Sequence, residues 1–136
     1  MSSRFEWSAI VLRFIAGITF VIHGIAKFQM GLDNVAGFFG TMGLPAFIAY
    51  FVAFVEVIGG ITLILGLGTR IFAGVLAIVM IGAIVKAKLA AGFMGSNGGA
   101  GYELELALLA ITASLAISGS NKLSLDNALF GKKNLA

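Results

Sequence analysis

Four apolar stretches, each close to the length of a bilayer crossing, constrain this chain more than any other feature. They run about Ser8–Lys27, Pro45–Leu67, Arg70–Phe93 and Tyr102–Ser118. A crossing helix needs about 20 predominantly apolar residues, with a range of roughly 17 to 25. Backbone polar groups in lipid must be satisfied within the segment, so each stretch is expected to be helical. Composition agrees with that reading. The chain is 60% hydrophobic and 11% charged, with mean hydropathy +1.06, whereas a soluble domain carries about 25% charged residues. The expected fold is all-α: an integral membrane four-helix bundle, one domain spanning residues 1–136.

The boundaries have local causes. Pro45 suits the first turn of a helix, where its missing N–H is harmless. Gly66, Gly68, Thr69 and Arg70 make a very short turn between the second and third spans. "GSNGGAG" (residues 95–101) holds no regular element and reads as a loop. Between the first two spans, Val35, Phe38, Phe39 and Met42 recur at helical spacing, which predicts a short amphipathic helix in the membrane interface. A similar short piece is expected after Asp126. Arg13 interrupts the first apolar run and no cleavage site follows promptly, so that run reads as a retained span rather than a signal peptide.

Lysine and arginine placement predicts orientation. With four spans both termini share a side, and that side collects Arg4, Arg70, Lys122, Lys132 and Lys133. Both termini are therefore expected in the cytoplasm, with Lys132 and Lys133 near anionic headgroups. No basic run resembles a nucleic-acid footprint. The absence of cysteine excludes disulfides and thiolate metal sites within this chain. One histidine and scattered carboxylates lack the spacing of a zinc site, and no metal is expected. No phosphate-binding loop, dinucleotide glycine pattern or hydrolase elbow is present.

Ionisable groups within spans are costly and usually face a bundle interior or a cavity. At 1.5 Å per residue, Arg13 sits about 8 Å and His23 about 22 Å from the cytoplasmic end. Glu56 falls near mid-membrane, Lys86 about 22 Å up the third span, and Glu103 and Glu105 in the first turn of the fourth. These depths predict two layers: Arg13 within reach of Glu56 below, and His23, Lys86, Glu103 and Glu105 above, with Lys27 on top. Gly17 and Gly24 share the Arg13–Lys27 face, and Gly59 and Gly60 accompany Glu56, so close helix approach is expected there. Lys86 and Lys88 lie about 200° apart on a regular helix, as do Glu103 and Glu105. Lys86 is assigned inward and Lys88 to the interface; the glutamates stay open. Plainer readings stand beside these. Lys27 can snorkel to headgroups, Lys88 and Glu103 can both be interfacial, His23 can be a packing histidine, and Arg13–Glu56 can be a purely structural pair.

Taken in order, "LRFIAGITFVIHGIAKF", "GLPAFIAYFVAFVEVIGGITLILGLGTR" and "GYELELALLAITASLAISG" followed by "LSLD" resemble the DoxX/DoxD-like family of small four-helix membrane proteins. The resemblance rests on Arg13, His23-Gly24, Lys27, Gly43-Leu44-Pro45, Glu56, Gly59-Gly60, Gly66, Thr69-Arg70 and Tyr102-Glu103. It is nearest the CatD/MhqP-type subgroup, whose members are designated oxidoreductases and linked to catechol and quinone stress. Gly119-Ser120-Asn121 departs from the Gly-Pro-Gly that many members carry. The resemblance implies a plasma-membrane location and quinone-related redox work; one relative is a subunit of a thiosulfate:quinone oxidoreductase. On that implication a quinone is the candidate cofactor. His23, Lys86, Glu105 and Glu103 become the candidate catalytic groups, proton donors and charge stabilisers. Lys27, Arg13 and Glu56 become candidate binding groups. The lipid bilayer, an electron-donating redox protein and a second copy of the chain are the candidate partners. The alternative is a non-enzymatic scaffold or assembly subunit held together by buried ion pairs.

Overall fold

The computed structural model describes residues 3–96 and 98–130. Lys132 and Lys133, expected near headgroups, lie outside the described residues. Among the described residues the chain is all helix and turn, with no strand. The order is α1 (Ser3–Met30), α2 (Leu32–Thr41), α3 (Ala46–Leu65), α4 (Thr69–Ala83), a π-helical turn (Ile84–Lys88) running into a short 3₁₀ turn (Leu89–Ala91), α5 (Glu103–Ser118) and α6 (Leu125–Phe130). Three helical stretches are long and apolar enough to cross a membrane: Ser3–Met30, Ala46–Leu65 and Thr69–Ala91. The helix at the expected fourth span, α5, has 16 residues, shorter than the usual crossing length.

The four longer helices pack in a ring: α1 on α3, α3 on α4, α4 on α5, and α5 back on α1. The burial pattern is that of a molecule surrounded by apolar solvent. Ile22, Phe51, Ile58, Ile71, Ile78 and Ile117 are each at least 50% exposed, far more apolar surface than a water-soluble monomer shows. Small residues occupy the inside instead. Ala16, Ala49, Ala53 and Ala73 are fully buried, interleaved with Phe20, Leu63, Leu76 and Leu115.

Glycine sets the closest approach. A Cβ on Gly60 would stand 2.6 Å from the Gly17 carbonyl oxygen, and one on Gly17 would stand 2.7 Å from that of Gly60. The α1 and α3 backbones therefore touch, as small residues allow between helices in lipid. This contact fixes the relative height of α1 and α3.

The third span departs from a regular helix. The α-helical pattern of α4 ends at Ala83 and the chain widens into the π turn over Ile84–Lys88. Such turns usually mark functional positions.

At the opposite end, the α3–α4 turn, the segment after α5 and α6 are tied together by one arginine. Arg13 is fully buried. It donates to the Leu63 and Ile64 carbonyls at 2.9 and 3.2 Å, to Ser120 Oγ at 2.9 Å, and to the Lys122 and Leu123 carbonyls at 2.9 and 2.7 Å. Gly66 caps α3 with φ 71°, and a Cβ there would collide with Ser124. Asp126 Oδ2 accepts the Gly68 N–H at 2.7 Å.

Candidate functional site

At the other end of the ring lies a cavity of about 550 Å³. Its walls come from α1, α2, α3, the α4–π junction and the start of α5. Most of the wall is apolar. Phe20 and Leu108 close it on the core side, and Phe38, Phe39, Met42 and Leu44 form a cap over it. The residues expected to make an interfacial amphipathic helix thus turn part of their apolar face onto this cavity. A hydrogen bond from the Tyr50 hydroxyl to Asp33 Oδ1, 2.6 Å long, joins α2 to α3 beside it.

The polar groups are few and concentrated. Lys27 Nζ donates to Glu56 Oε1 at 2.6 Å, with side chains 19% and 5% exposed. Lys88 Nζ lies 2.7 Å from Glu105 Oε2. The other oxygen, Glu105 Oε1, is buried without a hydrogen bond among the described residues. His23 and Lys86 also line the cavity, and neither holds a hydrogen bond or ion pair among the described residues. The site therefore offers two neutralised ion pairs, two unengaged nitrogen groups and an aromatic cap. Glu56 is the buried charge whose desolvation Lys27 offsets, whereas His23 and Lys86 are exposed and need no partner.

Of the seven residues singled out by sequence, five line this cavity: His23, Lys27, Glu56, Lys86 and Glu105. Glu103 does not; it is exposed at the first position of α5, where its charge suits the helix N-terminus. Arg13 does not either. The expected Arg13–Glu56 layer is corrected: Glu56 pairs with Lys27, and Arg13 binds carbonyls at the far end. The reason is register. Because Gly17 sits against Gly60 and Gly24 against Val57, Glu56 stands at the height of the Lys27 end of α1 and Leu63 at the height of Arg13. Lys88 is a second correction. Regular helical geometry points it away from Lys86, yet both line the cavity wall, with Lys88 leaving helical geometry at φ −125° and turned onto Glu105. Phe38 and Phe39 carried a signal, their helical spacing, yet nothing in the sequence said which element they would cover.

The family model described as DoxX matches residues 8–89. The chain belongs to the DoxX family. The matched stretch holds His23, Lys27, Glu56, Lys86 and Lys88, so most of the polar set of this DoxX protein's cavity falls within the family region. A Bacillus subtilis (strain 168) protein named "Putative oxidoreductase CatD" is 44% identical over 135 residues, covering 98% of this DoxX chain and 96% of the relative. An "Uncharacterized membrane protein" of Mycobacterium tuberculosis is 37% identical over 132 residues, 90% of this chain and 81% of the relative. No solved structure gives a significant match. With the family and three apolar helices of crossing length, the chain is a membrane protein.

Proposed function

We propose that this DoxX protein is a membrane oxidoreductase, or the membrane subunit of one, and that its cavity takes a quinone- or catechol-type ring. The observation that carries the reading is the cavity itself: about 550 Å³, aromatic-capped, with its polar groups gathered at Lys27–Glu56, Lys88–Glu105, His23 and Lys86. Ligand sites of this kind pair an apolar wall with a few placed polar groups. A flat ring with two oxygens matches that balance. The name of the Bacillus subtilis relative supports the oxidoreductase part of the reading.

Interconverting a quinone and its diol moves two electrons and two protons. The protons fall to this chain's residues. His23 is an unengaged imidazole suited to general acid or base work. Lys86 is an unengaged cation placed to offset charge growing on a ring oxygen. Glu105, pinned through one oxygen by Lys88, offers the second proton position, and Lys27–Glu56 orients the opposite wall. The electrons come from a redox partner protein. In this reading the ring of α1, α3, α4 and α5 is a four-helix bundle crossing the cell membrane four times. Both termini are then cytoplasmic, α2 lies in the outer interface, and the cavity occupies the outer half.

The test is an organic extract of the protein purified in mild detergent, analysed by mass spectrometry and followed by titration with a short-chain quinone. The expected result is near-stoichiometric quinone in the wild type, lost in His23→Ala and Lys86→Ala variants that keep their helical circular dichroism. A wild type that neither carries nor binds a quinone or catechol overturns the reading. The scaffold alternative is favoured by Arg13, a buried cation spent wholly on joining chain segments. Glu56→Gln separates the two: normal abundance with lost ring binding supports the redox site, whereas lost abundance supports the scaffold.

A further inference from the structure

A second hollow runs between α1 and α5, away from the ring-binding cavity. It measures about 540 Å³, and Phe5, Ala9 and Leu12 face Ala110, Ala113 and Ile117 across it. The paired segments cover about 12 Å of helix. The trough exists because alanine fills so little of the seam where α1 and α5 meet. Its lining is mainly apolar, with Ser8, Ser114 and Ser118 as the polar exceptions, so it suits an apolar occupant better than a polar solute. Within a bilayer, an acyl chain or another helix fills it.

The charge at one end of the trough decides between them. Phe5 and Ile117 mark that end, and two cations flank it: Arg4 directly before Phe5, and Arg70 on the Ala116 carbonyl. Arg4 is exposed, with no partner among the described residues. Arg70 is exposed and uses only Nε, donating to the Ala116 carbonyl at 2.9 Å, which leaves its two terminal amino groups free among the described residues. Lys122 adds positive charge around α1 from the trough, its ammonium 5.2 Å from the Trp7 ring centroid rather than on a carboxylate. Trp7 is 54% exposed, as suits a side chain at the headgroup level. The described carboxylates at this end are Asp126, buried and bonded to the Gly68 N–H, and Glu6, with one oxygen buried. The accessible charge is thus positive. A second copy docked here by two-fold symmetry would set these cations beside their own equivalents at one height in the membrane.

We infer that the α1–α5 groove is a binding site for an anionic phospholipid, with an acyl chain in the trough and the phosphate at Arg4 and Arg70. The full chain is reconstituted in nanodiscs of equal phosphatidylglycerol and phosphatidylcholine. One of the two lipids in turn carries a photoactivatable acyl chain. Cross-links are then mapped to peptides. Phosphatidylglycerol is expected to label residues 5–12 and 110–117 at least tenfold more than phosphatidylcholine. The Arg4→Gln/Arg70→Gln variant is expected to lower that preference by on the order of tenfold. Ala113→Leu fills the trough and removes labelling by both lipids, with helical content checked by circular dichroism. If Ala113→Leu fails to fold, the wild-type map and the charge variant still decide. Equal labelling by the two lipids, labelling elsewhere only, or protein–protein cross-links between the same peptides of two copies overturns the inference.

Discussion

Lys27–Glu56 shows what a single pair contributes in an apolar interior. The two charges are 2.6 Å apart and Glu56 is 5% exposed. Removing one partner of a fully buried pair costs about 3–5 kcal/mol, while replacing both with apolar groups is often neutral. Lys27 keeps 19% of its side chain accessible, so Lys27→Met should cost less, about 2–3 kcal/mol. The Lys27→Met/Glu56→Leu double variant should return to within about 1 kcal/mol of wild type. Thermal unfolding in detergent reads both; a double variant less stable than Lys27→Met alone would show that the charges themselves are required. The glycines make a parallel case. Gly60→Ala places a Cβ against the Gly17 carbonyl and should lower stability by about 1–3 kcal/mol. Gly74→Ala, with no atom within 4 Å of its new Cβ, should raise it by about 0.5–1 kcal/mol. If both shift the melting temperature alike, close approach of α1 and α3 is not what Gly60 provides.

Elements were legible where periodicity and length speak. The runs that became α1, α3 and α5, the loop after Gly95 and the short helix around Phe38 all follow from spacing and turn residues. Two things did not follow. Heights counted from the membrane edges put Glu56 level with Arg13, but the Gly17–Gly60 contact sets them and pairs Glu56 with Lys27. The irregular end of the third span has no periodic signature, so regular geometry sends Lys88 away from the cavity it lines. How firmly α2 is held is likewise a property of contacts. Its sequence-distant tie is the Tyr50–Asp33 hydrogen bond, 2.6 Å and solvent-accessible. Such a bond contributes about 0.5–1.5 kcal/mol. Tyr50→Phe should therefore speed hydrogen exchange in residues 32–41 by severalfold and leave exchange in α3 and α4 unchanged. Unaltered exchange in α2 would show that Phe39, Met42 and Val35 hold the cap without the latch.

At the scale of the molecule the proposed topology turns on α5. Its 16 residues span about 24 Å, against a hydrocarbon thickness of about 30 Å. Local thinning of the bilayer makes up a shortfall of this size at modest cost. Two features argue that α5 crosses. It packs along α4 and closes the ring on α1, and Leu104, Leu106 and Ile117 are exposed along it, as lipid contact requires. The chain contains no cysteine, so single labels report side directly. If α5 crosses, Ser96 and Asn127 stand on opposite faces of the membrane. A membrane-impermeant maleimide should then label Ser96→Cys in intact cells and Asn127→Cys only after permeabilisation. Both positions labelled from one side would mean that α5 does not cross, and the four-span topology would fall. The reverse pattern would keep four spans but invert them. That inversion would put the Lys27–Glu56 cavity, and the ring proposed for it, on the cytoplasmic side, within reach of soluble electron donors, and the cationic end of the α1–α5 groove on the outside.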